Sequence, residues 1–438
     1  MAFTVDPEMT PVRPSPSKRE VAKALGSAMI GNWFELYDFI IYGYFAAQIG
    51  LAMFPKADPL TIILSSFATY GVGFVMRPIG SVVLGSFGDR YGRKLALVIT
   101  MFMMAGATGI TGLIPPYAQI GIAAPIILVV CRLVQGFAAG GEWGGATTFI
   151  VEYAPPHRRG LFGALQQLST SLAVVSAVLT ALGLSLILSK PELEAWGWRL
   201  PFILGFFVAP VGYYLRKHVD ESPKYEAKVK SDDIAPVRPF REALTSHKRA
   251  IATIFGSVII WTVAGYTFGT FLVNFATQVL KIEPRWAYTA TLIGSLVNIV
   301  FIVVAGYLSD RFGRKPFLLM SAAGFALSVV PLFYLLDATK APWALILTTA
   351  VAGTFSGLFS GVGPSYLCEL LPTRVRYTAL SMGYNGAVML FGGFAPFIGT
   401  LLVQATGTNV APAFYVLAAA VVSFLVILSA SSRSRMND

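Results

Sequence analysis

The feature that most constrains this chain is a series of about twelve apolar runs, each roughly 20 residues or longer. A helix of about 20 residues crosses the roughly 30 Å hydrocarbon core of a membrane. Within lipid only helices and closed barrels satisfy their backbone hydrogen bonds, and these runs lack the alternation of barrel strands. We therefore predict an all-α membrane protein with twelve transmembrane helices. The runs are 24–50, 60–86, 95–114, 122–150, 160–189, 199–215, 250–279, 287–308, 317–336, 342–368, 377–404 and 410–430.

The composition agrees with a membrane protein and excludes other classes. Hydrophobic residues make up 55% of the chain and charged residues only 13%, whereas soluble domains carry about 25% charged residues. The formal net charge is +11, yet no basic face interleaved with exposed aromatic residues is present, so we expect no nucleic-acid partner. The two cysteines, Cys131 and Cys368, fall in or beside apolar runs and give no disulfide or metal framework.

The distribution of basic residues predicts the orientation. If the N-terminus is cytoplasmic, about 25 of the 33 Lys and Arg residues fall in cytoplasmic tails and loops, as the positive-inside rule requires. Both termini are then cytoplasmic. One long polar stretch divides the runs into six and six, and we interpret it as a solvated linker, with regulation or partner binding as the alternative. The predicted domains are a tail 1–23, a six-helix bundle 24–215, the linker 216–249, a second six-helix bundle 250–430 and a tail 431–438.

Two charged motifs occur twice, which indicates an internal duplication. GDRYGRK at 88–94 returns as SDRFGRK at 309–315, with their aspartates 221 residues apart. EYAPPHRR at 152–159 matches ELLPTRVR at 369–376, with an offset of 217. Membrane proteins made of two repeated bundles place the substrate between the bundles near the midplane, and they transport by rocking one bundle against the other.

These motifs resemble the loop signature of the major facilitator superfamily. More narrowly, GNWFELYDFIIYGYFA, FVMRPIG, RLVQGFAAGGEWGGA, WGWRLPF, ESPKY and ELLPTRVRYTALSMGYN resemble the metabolite:proton symporter family. The resemblance covers nearly the whole chain. It implies a symporter in the bacterial inner membrane, with a cargo such as citrate, another carboxylate, shikimate, proline or betaine.

The duplicated loop motif predicts a latch between the bundles. Asp89 can face a helix terminus or pair with Arg93, and Arg90 can anchor the cytoplasmic side. Simple positive-inside anchoring is the alternative, but it does not explain the repeated Asp and Gly. The predicted latch residues are Gly85, Asp89, Arg90, Gly92, Arg93, Glu152, Gly306, Asp310, Arg311, Gly313, Arg314 and Glu369.

Charged residues inside the spans predict the ion-coupling site. Arg77, Glu35 and Glu142 each lie roughly 15 to 18 Å along their helices from the cytoplasmic ends, so three helices carry charge to a similar depth. Each charge costs roughly 2.5 to 3.5 kcal/mol at a helix centre and is therefore a sign of function. Asp38 lies three residues after Glu35 on the same stripe. We predict Glu35, Asp38 and Glu142 as ion-coupling residues, with structural pairing as the alternative.

The predicted substrate-binding residues come from both halves. The guanidinium fork suits a carboxylate, so Arg77 and Arg132 are candidate ligands. The alternative for Arg77 is a structural ion pair. The alternative for Arg132 is proton coupling, because it resembles the superfamily's fourth-helix arginine. The second half offers only neutral polar groups in its spans. We interpret Trp33, Tyr37, Trp143 and Trp261 as packing or interface residues. The full set is Asn32, Tyr42, Arg77, Arg132, Gln135, Tyr266, Asn274, Asn298, Tyr366, Tyr384 and Asn385.

The predicted function is secondary active transport by alternating access. Two mid-span arginines favour proton-coupled symport of a di- or tricarboxylate such as citrate or 2-oxoglutarate. The alternative is a zwitterionic osmolyte, with proline or betaine held by one arginine and by aromatic rings. No HExxH, GxSxG or Cys/His set predicts an enzyme. We expect a monomer in the lipid bilayer with no cofactor, in which H⁺, or alternatively Na⁺, is co-transported.

Overall fold

The computed structural model describes residues 18–91, 93–207, 245–372 and 375–430. Every regular element in these ranges is a helix. Nine of these helices are long and apolar enough to cross a membrane, and a tenth span is formed if a bent pair, Met29–Tyr44 with Ala46–Met53, is counted as one. The predicted all-α membrane fold is confirmed. The predicted linker and both chain tails lie largely outside the described residues.

The first half contains the bent span, three further helices of spanning length and a shorter apolar helix, Val98–Leu113. The first helix turns by 69° before Ala46, and the fourth span, in the order of the predicted runs, is interrupted at Gly140 and Gly141. Of the predicted sixth run, 200–207 is described and is helical. The α-helices are Lys18–Tyr44, Ala46–Met53, Pro59–Tyr91, Arg93–Leu113, Tyr117–Ile120, Ala123–Ala139, Glu142–Tyr153, Arg159–Ile187 and Lys190–Ala195; Pro156–Arg158 and Gly197–Arg199 are 3₁₀ turns.

The second half contains six spans, two of which include π-helical segments. Such segments widen the helix locally and occur mostly at functional sites. The α-helices are Lys248–Tyr266, Leu272–Asn274, Pro284–Phe312, Lys315–Thr339, Pro342–Glu369, Arg376–Ala387, Ala395–Thr406 and Ala411–Ser429. The π segments are Thr267–Phe271, Phe275–Val279 and Val388–Gly392.

Glycines bring two pairs of helices into backbone contact, and the contacts repeat between the halves. A Cβ atom at Gly136 would overlap the carbonyl oxygen of Gly73, so the fourth and second spans touch without side chains between them. A Cβ at Gly353 would likewise overlap the carbonyl oxygen of Gly294, which joins the tenth and eighth spans. The offsets, 217 and 221 residues, equal those of the duplicated sequence motifs. Small residues at such crossings let helix backbones approach closely in membranes.

The duplicated loop motif distinguishes the two ends of the protein. We call the end that carries 309–315 the loop end, and the opposite end the far end. The sequence predicts that the loop end is cytoplasmic. Helix Lys248–Tyr266 begins at the loop end, because the following span, Pro284–Phe312, runs back to it. Helix Arg376–Ala387 also begins there, since it follows Glu369, which pairs with Arg314.

Candidate functional site

A cavity of about 190 Å³ lies between spans of the two halves. It is smaller than the roughly 300 Å³ at which pockets for drug-sized ligands begin, so its size suits a small solute. The first half contributes Asn32, Glu35 and Arg77 to its wall, and the second half contributes neutral polar and aromatic groups. Its lining is therefore polar and charged on one side and neutral on the other.

Glu35 and Arg77 form a buried ion pair on the cavity wall. Arg77 Nη2 lies 3.1 Å from Glu35 Oε1, and the two side chains are 2% and 3% exposed. The Arg77 guanidinium also lies over the rings of Phe39 and Phe74, at 4.6 and 4.5 Å from the ring centroids. These aromatic faces hold the guanidinium in place by cation–π attraction, and they leave the pair directed at the cavity.

Asp38 and Arg132 form a second pair, separate from the cavity. Arg132 Nη2 lies 3.4 Å from Asp38 Oδ2, both side chains are fully buried, and neither residue lines the cavity. The Arg132 guanidinium lies 4.3 Å from the centroid of the Tyr42 ring. Three residues of helix rotate a side chain by roughly 300°, so Asp38 is directed about 60° away from Glu35 and one turn further along. The predicted meeting of all these charges in one shared cavity is therefore wrong.

Five of the predicted substrate-binding residues line the cavity, and six do not. Those on the wall are Asn32, Arg77, Tyr266, Asn298 and Tyr384. Those elsewhere are Tyr42, Arg132, Gln135, Asn274, Tyr366 and Asn385. Tyr42 and Gln135 are used inside the first half, where the Tyr42 hydroxyl donates to the Ser66 carbonyl and Gln135 Nε2 donates to Thr108 Oγ1. The helical periodicity of the sequence indicated which face of each helix is polar. It did not indicate which of these polar faces contacts the other half.

An aromatic wall of Trp143, Trp261 and Tyr384 borders the same cavity, although the sequence pattern assigned the two tryptophans to packing or to the membrane interface. The rings of Trp143 and Tyr384 stack across the two halves with centroids 3.7 Å apart. Trp261 meets both rings at 5.8 and 5.9 Å, and its indole N–H donates to Ser360 Oγ. One signal was available in the sequence: tryptophans usually mark membrane interfaces, but Trp143 and Trp261 lie in the middle of their spans.

Arg77 and Asn298 occupy matching positions in the two halves. A Cβ at Gly140 would overlap the carbonyl oxygen of Arg77, and a Cβ at Gly357 would lie 2.7 Å from the carbonyl oxygen of Asn298. The offsets are again 221 and 217 residues. Asn298 Oδ1 accepts a hydrogen bond from Ser171 of the first half at 2.9 Å. The duplicated framework therefore presents a guanidinium from one half and an amide from the other.

The second copy of the predicted latch joins the two halves at the loop end. Asp310 accepts hydrogen bonds from the backbone N–H groups of Gly160 and Leu161 at 2.8 and 3.1 Å. These groups are at the N-terminus of helix Arg159–Ile187, where the helix dipole favours an anion. Arg314 pairs with Asp310 at 2.8 Å and with Glu369 at 3.2 Å.

The other predicted latch residues are only partly described. Arg311 lies over the Tyr307 ring at 5.8 Å, Gly313 ends its helix with φ +83°, and Gly306 packs against Ala164 of the first half. Gly92 lies outside the described residues. The structure also does not describe the burial of Gly85 or the side chains of Asp89, Arg90, Arg93 and Glu152. The side chain of Glu142, a predicted ion-coupling residue, also lies outside them.

Comparison with known proteins agrees with this architecture. Residues 24–236 match the family "Sugar (and other) transporter", and residues 266–435 match "Major Facilitator Superfamily". The xylose transporter XylE of Escherichia coli, in a partially occluded inward-open conformation, superposes with a TM-score of 0.73. The superposition covers 94% of this chain and 97% of the XylE chain. The sequence identity is 16%, so this similarity concerns the fold alone.

Curated relatives are more similar in sequence. The glycine betaine/proline/ectoine/pipecolic acid transporter OusA of Dickeya dadantii is 34% identical over 412 residues, which are 92% of this chain and 82% of that protein. The proline/betaine transporter of Escherichia coli K12 is 33% identical over 417 residues, 93% and 82% of the two chains. A putative proline/betaine transporter of Staphylococcus haemolyticus is 35% identical over 412 residues, 92% and 86%.

The fold and the cavity between repeated halves define a multi-pass membrane transporter. Its class is thus that of membrane transport proteins. The chain belongs to the major facilitator superfamily and, within it, to the metabolite:proton symporter family. Its bacterial relatives agree with the predicted location in the bacterial inner membrane.

Proposed function

We propose that this protein takes up a zwitterionic osmolyte of the proline or betaine type, coupled to a cation, by alternating access. The observation that carries the proposal is the pairing of Glu35 with Arg77 on a cavity wall that also contains Trp143, Trp261 and Tyr384. A zwitterion needs an anionic and a cationic subsite within one small space. A guanidinium beside a carboxylate, together with aromatic rings, supplies both kinds of group.

The cavity supports a zwitterion better than a di- or tricarboxylate. An organic acid was the first expectation from the sequence because two mid-span arginines were counted as ligands. Arg132 is instead paired with Asp38 away from the cavity, so among the described lining residues Arg77 is the one basic group, and Glu35 lies against it. Relatives named as proline/betaine transporters point the same way. The organic-acid interpretation is therefore replaced by the alternative.

In the proposed cycle the substrate carboxylate binds Arg77, and the substrate ammonium group lies against the aromatic rings. A carboxylate that approaches Arg77 competes with Glu35 for the guanidinium. Protonation of Glu35 removes this competition, so proton and substrate each favour binding of the other, which is thermodynamic linkage. Asp38 and Glu142 remain further candidates for the coupling ion. When the substrate and the proton are both bound, the net charge of the site is higher by one, because the proton adds one positive charge and the zwitterion adds none.

We further propose that 24–215 and 250–430 are the two bundles that move. Rocking of repeated bundles around a midplane site is the usual mechanism of such transporters. Support at the loop end comes from Asp310, which bridges the halves by accepting from Gly160 and Leu161. Opening at that end requires these hydrogen bonds to break. Arg314 and Glu369 then remain on one half with Asp310.

Uptake into proteoliposomes tests the cargo and the coupling together. Purified protein is reconstituted, and uptake of labelled glycine betaine, proline and citrate is measured under an imposed pH gradient, a Na⁺ gradient or neither. We expect accumulation of glycine betaine or proline driven by the pH gradient, with little citrate uptake. Citrate accumulation that excess betaine does not inhibit would overturn the zwitterion proposal. Uptake driven only by the Na⁺ gradient would show that Na⁺, and not the proton, is the coupling ion.

A further inference from the structure

Two asparagines of the second half donate hydrogen bonds to backbone carbonyls of the first half. Asn274 Nδ2 donates to the Gly43 carbonyl at 2.7 Å, and Asn385 Nδ2 donates to the Gly140 carbonyl at 3.1 Å. Both asparagine side chains are buried, at 3% and 4% exposure, and neither lines the cavity. Asn274 Nδ2 also donates to the Thr270 carbonyl of its own span at 3.3 Å. The contact that both asparagines share is therefore with the other half of the protein and not with a solute in the cavity.

Each accepting carbonyl lies at a break in a helix. Gly43 is two residues before Phe45, where the first span bends by 69°. Gly140 lies at the interruption between helices Ala123–Ala139 and Glu142–Tyr153. A broken helix in a membrane leaves backbone groups that neighbouring helices must satisfy, since lipid cannot. The two asparagines thus supply, from across the interface, donors that the first half needs where its helices are broken.

The two hydrogen bonds lie on opposite sides of the cavity. Asn274 comes 26 residues after Lys248, roughly 39 Å along its span from the loop end. Asn385 comes nine residues after Arg376, roughly 14 Å from the same end. The cavity-lining residue Thr270 lies one turn before Asn274, on its loop-end side, and the cavity-lining Tyr384 is adjacent to Asn385. One bond is therefore at the far side of the cavity, and the other is at its loop side.

Close contacts surround each bond. On the far side a Cβ at Gly43 would lie 2.6 Å from a methyl carbon of Thr270, so the first and seventh spans touch there. On the loop side the Tyr377 hydroxyl donates to the Gly141 carbonyl at 3.3 Å, next to the stacked rings of Trp143 and Tyr384. An opening of the halves at either end must separate the corresponding set of contacts.

The asparagines also adjoin the π segments of their spans. Asn274 lies between Thr267–Phe271 and Phe275–Val279, and Asn385 comes three residues before Val388–Gly392. Segments of π-helix are rare, cluster at functional positions and are among the usual places where helices kink. The parts of the second half that hold the asparagines are thus suited to change shape when a bond is broken.

We propose that Asn274 and Asn385 are opposing closure residues, the first holding the far end shut and the second holding the loop end shut. Each bond breaks when its own end opens and forms again when the other end opens. Their function is to set the balance between the two accessible states, and they do not contact the substrate. The proposal does not depend on the cargo, because neither bond involves the cavity wall.

Side-specific labelling of a cavity cysteine tests the proposal without any transport assay. Ser295 lines the cavity, and its hydroxyl donates only to the Thr291 carbonyl of its own helix among the described contacts. In a background with Cys131 and Cys368 replaced by alanine, Ser295→Cys reports accessibility. A membrane-impermeant maleimide is added to right-side-out or inverted membrane vesicles, which expose the far end or the loop end if the predicted orientation holds. The labelling rate from each side is measured.

The two alanine variants should shift accessibility in opposite directions. Asn274→Ala should raise labelling from the far end and lower it from the loop end, and Asn385→Ala should do the reverse. Loss of one hydrogen bond of ordinary strength corresponds to a shift of roughly two- to tenfold in each ratio. Thr348→Ala and Thr400→Ala are matched controls, because these buried hydroxyls donate within their own spans, and they should leave the ratio unchanged.

Two outcomes overturn the proposal. If both asparagine variants shift labelling in the same direction, or if neither shifts it while the protein is inserted normally, the asparagines are not opposing closures. Should an alanine variant fail to insert, Asn274→Asp and Asn385→Asp keep the shape and replace the donor with an acceptor. These two variants should shift the labelling in opposite directions, as the alanine variants do. A shift of both variants in the same direction would contradict the assignment.

Discussion

Arg77 and Asn298 are counterparts in a duplicated framework, since the carbonyl of each lies against a glycine of the neighbouring span at the same sequence offset. Both residues line the cavity, so the exchange of a guanidinium for an amide is one source of the asymmetry of the site, beside the carboxylate of Glu35. The present pairing suits a substrate with one carboxylate.

This relationship predicts a change of specificity in Asn298→Arg. A second guanidinium opposite Arg77 should favour a dicarboxylate and disfavour a zwitterion, because the cationic end of the zwitterion is then repelled. We expect KM for glycine betaine to rise at least tenfold and uptake of a dicarboxylate such as succinate to become measurable. Competition assays in proteoliposomes measure both. Asn298→Gln, which adds length but no charge, should not admit the dicarboxylate; equal behaviour of the two variants would contradict the electrostatic explanation.

Replacement of Trp261 tests the aromatic wall. A cation against an aromatic face in a desolvated site gains about 2 kcal/mol, which corresponds to roughly 30-fold in affinity. Trp261→Leu should therefore raise KM for glycine betaine by roughly 10- to 30-fold, whereas Trp261→Phe, which keeps a ring, should raise it less. Trp196→Leu, at a position that is 44% exposed outside the cavity, is the matched control. Equal losses for Leu and Phe would indicate that the Ser360 hydrogen bond, and not the ring face, matters.

Glu35→Gln should separate substrate movement from the proton. The glutamine keeps the shape of the side chain but cannot bind and release a proton, and it competes less for Arg77. We expect accumulation driven by a pH gradient to fall to the level without a gradient, while exchange of internal for external substrate continues. Counterflow in proteoliposomes measures the exchange. Asp58→Asn, a fully exposed carboxylate on the far-end loop, serves as control. Unchanged gradient-driven accumulation in Glu35→Gln would assign coupling elsewhere, with Asp38 the next candidate.

Asp310→Asn should weaken closure at the loop end. The neutral amide interacts less with the N-terminus of helix Arg159–Ile187 and no longer pairs with Arg314, so the halves are held less firmly. We expect impaired uptake with normal membrane insertion, together with faster hydrogen exchange at the amides of Gly160 and Leu161. Asp337→Asn is a suitable control, because Asp337 accepts from Asn409 within the second half. Full uptake with unchanged exchange would leave Asp310 without a latch function.

The sequence predicted the fold because membrane burial leaves a strong and local signal. Runs of apolar residues and repeated motifs are readable one helix at a time, and Glu35 and Arg77 were detectable as buried charges on two of those helices. The bend before Ala46 was not predicted, since no proline marks it. The similar depth of Glu35 and Arg77 was predicted correctly, because depth along a helix depends only on residue counts.

The rotation of each helix was the part that the sequence did not contain. Asp38 was assigned to the central cavity because it lies on the same helical stripe as Glu35, and Arg132 because a mid-span guanidinium suits a carboxylate. The two residues instead face each other inside the first half. Asn274 and Asn385 were assigned to the substrate because they are polar groups in apolar spans. Their true partners are backbone carbonyls 231 and 245 residues away, and a backbone carbonyl leaves no mark in a side-chain pattern.

Gly140 connects the cavity wall with one of the two closure bonds. Gly140 packs so closely against the backbone of Arg77 that a Cβ would overlap the Arg77 carbonyl oxygen, while its own carbonyl accepts from Asn385. No side chain lies between them, so we expect a shift of the Arg77 backbone on solute binding to displace the carbonyl that accepts from Asn385. Occupancy of the cavity and the firmness of one closure are thereby mechanically linked through a single residue without a side chain.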